Sequence, residues 1–301
     1  MKSFTAAAVD SNLISEKSPA AVVADLVKAR LTTLVLLTTF VGFYLGERGG
    51  LNWRLMFHTL FGTALVASGA AALNQLLERE YDAKMRRTAS RPLPSGRLQP
   101  PTVAIFGGVC SVAGLIHLAV AVNLLTAVLG AVTSISYLFI YTPLKRMTWV
   151  NTLVGAIPGA LPPLMGWTAA RNELSGEGWA LFAILAFWQI PHFMAIAWLY
   201  KDEYAKAGFV MLPNVDADGR RTAQHAVLNT LALAVAGLCP FFLGMNGPLY
   251  LAAAVVLSAG YFLAAVRFSQ KLTNRRARQL FLASIIYLPL LLAAMVCDKL
   301  K

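Results

Sequence analysis

The residues best placed to do chemistry lie in one short run, Asn74-Gln75-Leu76-Leu77-Glu78-Arg79-Glu80-Tyr81-Asp82. Asn74, Glu78 and Asp82 recur at every fourth position, so on a helix they share one face, each step rising about 6 Å. Glu80 points away from that stripe. Oxygen donors in a row suit Mg²⁺, which keeps several waters and joins one or two carboxylates to substrate phosphates. Arg87 and Arg91 follow at once, and the guanidinium fork matches phosphate oxygens. The same spacing also describes a solvated helix end with i,i+4 charge pairs. Asn74 shifts the balance toward function, because it stands at the apolar end of the run, where a polar group is costly and often functional.

The elements that must hold these residues are membrane spans. Of 301 residues, 57% are hydrophobic and 13% charged. A soluble domain carries about 25% charged residues, so lipid is the natural solvent. Each span needs about 20 apolar residues. Nine segments qualify, at 31–46, 55–77, 102–122, 124–142, 150–169, 178–200, 224–244, 247–266 and 279–297. The expected fold class is therefore all-α, a polytopic helical bundle. Residues 1–24 form an expected flexible tail, and 25–301 a single transmembrane domain. The tail lacks an Arg-rich amphipathic pattern, so the first apolar run reads as a retained helix and not a leader.

The net charge of +12 is mostly topology. With nine spans, 21 of the 26 Lys and Arg residues fall on one side, including Lys2, Lys17, Lys28 and Arg30 before the first span. The positive-inside rule makes that side, and the N-terminus, cytoplasmic. Nucleic acid is not an expected partner. Cys110, Cys239 and Cys297 show no paired spacing and read as small apolar residues. His58, His117 and His225 have no chemical context.

Two further blocks carry polar groups at span ends. The first is Tyr141-Thr142-Pro143-Leu144-Lys145-Arg146, which leads into a Gly- and Pro-dense helix over 155–167. Lys145 and Arg146 sit where a diphosphate could dock, or serve as cytoplasmic anchors. Irregular backbone at membrane depth is tolerated where it lines a cavity, although the small residues also permit close helix approach. The second is Phe187-Trp188-Gln189-Ile190-Pro191-His192-Phe193, followed by Tyr200-Lys201-Asp202-Glu203-Tyr204. Pro191 frees a carbonyl and can kink its helix, and Gln189 is expected to face a cavity.

Together these blocks resemble the UbiA superfamily of intramembrane prenyltransferases. Asn74, Glu78 and Asp82 match its N-x-x-x-D-x-x-x-D signature, with Glu78 in place of the usual Asp. Met85-x-Arg87-Thr88-x-x-Arg91-Pro92-Leu93-Pro94, the Tyr141–Arg146 block and the Trp188–Phe193 block are similar to the heme-farnesylating branch. Other branches carry a second D-x-x-x-D in the later block. Here the position four beyond Asp202 is Lys206, which favours the heme branch.

The resemblance implies farnesyl diphosphate and heme B as substrates, with heme O as product for heme-copper oxidases. It implies Mg²⁺ on Asn74, Glu78, Asp82 and Asp202, with Glu203 the alternative to Asp202. Arg87, Arg91, Tyr141, Lys145, Arg146, Lys201 and Tyr204 would bind the diphosphate. Gln189 would line the cavity, and His192 would either contact heme or be satisfied by irregular backbone. Expected partners are membrane lipid and a heme A synthase or terminal-oxidase assembly, and the expected location is a bacterial inner membrane. A quinone-type prenyltransferase shares the Asn74/Asp82 logic but would prefer an acid at position 206. A transporter would place its acids near the midplane, and a non-catalytic heme chaperone would form no product.

Overall fold

The computed structural model describes residues 18–300. Lys2, Lys17 and the rest of the expected tail up to residue 17 lie outside the described residues. Residues 19–24, expected in that tail, are instead helical. Ser18 accepts from the Ala21 amide, Pro19 takes the first turn, and α1 runs Pro19–Leu26.

The remaining helices are α2 (Ala29–Gly46), α3 (Trp53–Asp82), α4 (Pro100–Ala121), α5 (Leu124–Ile135), α6 (Thr142–Leu144), α7 (Asn151–Arg171), α8 (Gly176–Leu199), α9 (Lys201–Ala207), α10 (Leu212–Val215), α11 (Arg220–Phe242), α12 (Pro248–Gln270) and α13 (Asn274–Cys297). A π-helical turn, Ser136–Tyr141, joins α5 to α6, so that 124–144 crosses as one unit. Among the described residues nine helices are long and apolar enough to span a membrane. The chain is a multi-pass membrane protein.

Local signals set the helix ends. Asn52 accepts from the Leu55 amide at 3.0 Å and opens α3. Asn123 caps α5 through the Thr126 amide at 2.8 Å and also donates to the Thr168 carbonyl, pinning the tight α4–α5 hairpin to α7. Beyond Leu199 the chain breaks at Tyr200 and restarts as α9.

The helices α7 and α8 are the most enclosed, and α4 the least. Close approach makes α2 and α7 a tight pair. A Cβ on Gly42 would strike the Pro163 carbonyl oxygen, and one on Gly166 the Thr39 carbonyl oxygen. The outer faces expose Ile105, Val120, Phe242 and Val256, as a lipid-facing surface must.

Candidate active site

Helix α3 continues past the expected end at 77 to Asp82. Asn74, Glu78 and Asp82 therefore do share one face, and all three are buried. They line a cavity of about 200 Å³. Glu80 is exposed and pairs with Arg79 at 3.8 Å.

Each member of the stripe bonds to a different cation. Lys28 Nζ donates to Asn74 Oδ1 at 2.6 Å, Lys145 Nζ to Glu78 Oε1 at 2.8 Å, and Arg91 donates to Asp82 Oδ2 at 2.6 Å. Burial works against the Lys145 ammonium, but Glu78 together with Tyr141 and Tyr137 outweighs it and holds the group above its ordinary pKa. Among the described residues Lys28 hydrogen-bonds to no carboxylate. It donates also to the Tyr137 hydroxyl at 3.2 Å, and burial, then the Arg91 charge, pulls its pKa down to about 7.

Local backbone and side-chain devices deliver these groups. Lys28 occupies the left-handed region, φ 49° and ψ 54°, between α1 and α2. The Gln75 side chain donates to the Asp25 and Leu26 carbonyls at 2.9 and 2.8 Å, closing the end of α1 against α3. Past α3, Thr88 donates to the Asp82 carbonyl at 2.8 Å, turning the chain so that Arg91 comes back over the carboxylate. In the π turn the Thr142 amide and hydroxyl both reach the Tyr137 carbonyl, and Asn74 donates to that hydroxyl at 3.0 Å. Tyr141 packs flat against Gly155, where a Cβ would lie 2.5 Å from its ring.

Arg87, Tyr141 and Tyr204 complete the polar wall. Arg87 donates to the Tyr204 hydroxyl at 3.0 Å. Met85, Phe193, Ile196, Phe209 and Met211 form the apolar wall. Lys28, Thr88, Thr142 and Thr152 were not among the expected site residues, yet Lys28, Thr88 and Thr152 line the cavity and Thr142 bonds to Asn74. Lys28 carried only an orientation signal, Thr88 and Thr142 stood inside the quoted motifs, and Thr152 carried no signal.

Five expected residues are not brought into the cavity. Asp202 is exposed on the first turn of α9 and lines no part of it, whereas Glu203 is half-buried and accepts from the Arg87 amide at 3.4 Å. The break at Tyr200 rotates α9, and Tyr204 is the residue it turns inward. Lys201 is exposed over the Trp198 ring, and Arg146 is exposed and donates to the Tyr81 hydroxyl at 3.0 Å. Gln189 is buried against Gly159 and donates to the Ala156 and Leu185 carbonyls, which makes it a helix-packing group. His192 lies outside the cavity lining, between α8 and α13, next to Phe193, which does line it.

Asn74, Glu78 and Asp82 are hard oxygen donors on one wall of a polar cavity, and that donor chemistry fits Mg²⁺. Among the described residues no cluster of three His, Cys, Asp or Glu side chains forms a ready cage.

Comparison with known proteins bears on this site. Residues 35–288 match the UbiA prenyltransferase family. A protoheme IX farnesyltransferase of Solibacter usitatus is 48% identical over 91% of this chain and 97% of that protein. One from Koribacter versatilis is 46% identical over 91% and 92%. The mitochondrial protoheme IX farnesyltransferase of Arabidopsis thaliana is 36% identical over 91% of this chain and 64% of its own. Among solved structures, a digeranylgeranylglyceryl phosphate synthase superposes with a TM-score of 0.79 at 14% identity, covering 93% of this chain and 98% of that one. A UbiA homologue from Archaeoglobus fulgidus bound to GPP and Mg²⁺ superposes at 0.63 and 15% identity, covering 91% and 99%. Fold and sequence agree, and the chain belongs to the UbiA prenyltransferase family.

Proposed function

We propose that this chain is a protoheme IX farnesyltransferase, which joins the farnesyl group of farnesyl diphosphate to a vinyl group of heme B, with addition of water, to give heme O and diphosphate. The observation that carries the reading is the buried oxygen stripe of α3 facing three in-chain cations, in a chain with relatives of 48% and 46% identity that bear that name.

Asn74, Glu78 and Asp82 are the residues that would hold Mg²⁺, which when bound supplies charge neutralisation for the leaving diphosphate. Lys28, Lys145 and Arg91 stand within reach of an anion entering the cavity, and Arg87, Tyr141 and Tyr204 add donors where charge develops. The bond between farnesyl C1 and diphosphate oxygen breaks, and both electrons leave with the oxygen. The apolar wall of Met85, Phe193, Ile196, Phe209 and Met211 keeps the allylic cation from premature water. The heme vinyl group attacks C1. Water then adds to the new cation and its proton is lost, which completes the hydroxyethylfarnesyl chain.

At about 200 Å³ the cavity falls below the range of about 300–1,000 Å³ usual for whole-ligand pockets. It suits head groups, and the farnesyl tail lies among the helices. His192, beside the apolar wall, is the proposed heme contact. The charge asymmetry supports a cytoplasmic N-terminus and active site in a bacterial inner membrane. Heme O would pass to a heme A synthase or to terminal-oxidase assembly.

Membranes incubated with heme B, farnesyl diphosphate and Mg²⁺ should yield heme O by porphyrin mass. Asp82→Ala is expected to lose at least about 100-fold of that activity, as loss of a transition-state contact does, with the protein still in the membrane. Near-normal product from this variant would take Asp82 out of the site.

A further inference from the structure

His192 is half-buried and packed among aromatic rings. Trp188 and Phe281 stack on its two faces, with centroids at 5.1 Å and interplanar angles of 23° and 30°. Phe193 meets it edge-on at 5.6 Å. At the remaining edge, His192 Nδ1 lies 2.7 Å from Ser284 Oγ on α13. Ser284 is fully buried.

The direction of that bond follows from a second distance. Ser284 Oγ is 2.5 Å from the Phe281 carbonyl oxygen, the short limit for a hydroxyl–oxygen bond and repulsive without a proton between the two. The serine proton is thus committed to Phe281, and Oγ can only accept from His192. Nδ1 therefore carries the ring proton, and the lone pair of the neutral imidazole sits on Nε2. Among the described residues Nε2 makes no hydrogen bond. The scaffold is itself held, since Trp188 donates its indole N–H to the Ser284 carbonyl at 2.8 Å and Tyr261 donates to the Trp188 carbonyl at 3.2 Å.

A neutral imidazole with one nitrogen tied and the other bare is the arrangement of a metal-ligating histidine, whose second N–H is held by a partner that fixes the tautomer and raises basicity. Heme iron takes an imidazole in this way. Ile196, one helical turn from His192, lines the head-group cavity, so a porphyrin seated on His192 can extend its edge toward the reacting diphosphate.

We propose that Ser284 is a positioning residue for the heme substrate: its hydroxyl fixes His192 as the Nδ1–H tautomer and presents Nε2 to the iron. The proposal rests on the reading of His192 as the heme contact.

The test uses the full chain in lipid nanodiscs with added heme B, read by the Soret band, the heme dissociation constant and the ferrous iron–histidine stretch. His192→Gly should lose the histidine-ligated spectrum and regain it with free imidazole. Ser284→Ala should weaken heme binding about ten-fold, as loss of such a partner does, and lower the stretching frequency. Ser284→Thr, which keeps the hydroxyl, should restore both. Binding of Mg²⁺-pyrophosphate should be unchanged in Ser284→Ala, because Ser284 does not line that cavity. A wild-type spectrum in His192→Gly would overturn the heme reading of His192 and the proposal with it. Wild-type affinity and stretch in Ser284→Ala, with ligation lost in His192→Gly, would overturn the proposal alone. A parallel loss of pyrophosphate binding would assign Ser284 a general structural role and overturn it too.

Discussion

Lys28 holds a backbone conformation that few side-chain-bearing residues adopt, with φ at 49°, and the result is a buried ammonium beside Asn74. Because its pKa falls to about 7, its charge is present below that value and lost as pH rises through it. Anion binding needs the charge, so affinity for Mg²⁺-pyrophosphate should be full below about 7 and fall above it. Folding runs the other way. The unfolded lysine keeps its proton up to its ordinary pKa of 10.5, so Lys28 contributes stability that rises with pH between the two values. Lys28→Met should weaken pyrophosphate binding about ten-fold, the scale of a charge-assisted hydrogen bond, and abolish the step. A titration in which the step persists would remove Lys28 from anion contact. None of this was legible in the sequence, where Lys28 is one more basic residue before a span. Asn74, Glu78 and Asp82 were legible, because a fixed spacing on one uninterrupted helix determines a shared face. Asp202, expected at the site, lies outside the cavity for the converse reason: it follows a break at Tyr200, and spacing says nothing about how a new helix is rotated.

Among the elements, α1 owes its place to a side chain of α3. Gln75 bonds to two carbonyls at the end of α1, and Leu26 packs with Ala72, Leu93 and Val103. Gln75→Leu would remove both bonds and leave the buried Leu26 carbonyl without its donor, at a cost of about 1–3 kcal/mol. Hydrogen exchange over residues 19–28 should speed up in that variant. Pyrophosphate affinity should fall as in Lys28→Met, and the double variant should bind no worse than Lys28→Met alone. Additive losses would show that Gln75 acts by another route. The span boundaries were legible to within a few residues, because apolar length is a direct requirement of the bilayer. The extension of α3 and the π turn were not. Both depend on tertiary partners, namely the cations that neutralise a charged last turn and the Asn74–Thr142–Tyr137 chain of bonds.

For the whole molecule, alternating spans put the ends bearing Lys28, Asp82, Arg91 and Lys145 on one side and those bearing Asn52, Asn123 and Lys299 on the other. The distant pairing of Lys299 Nζ with the Tyr44 and Glu47 carbonyls, at 2.6 and 2.7 Å, ties the second side together. In intact cells of a strain carrying a cysteine-free background, a cysteine placed at Gly49 should react with an impermeant maleimide, and one at Ser95 only after the membrane is opened. The reverse pattern would invert the orientation read from charge. That asymmetry was visible in the chain because it is a property of loops, whereas the cavity was not, since its walls come from positions 28 to 211. The pairing of each stripe residue with its own cation also bears on how the catalytic cycle ends. Once the prenyl group has been transferred, Lys28, Lys145 and Arg91 each have a competing partner in the chain itself, so the spent pyrophosphate faces rivals for every contact that held it. The pocket is built to empty itself, and variants that remove the acids but keep the cations should bind metal-free pyrophosphate more tightly than the parent protein does.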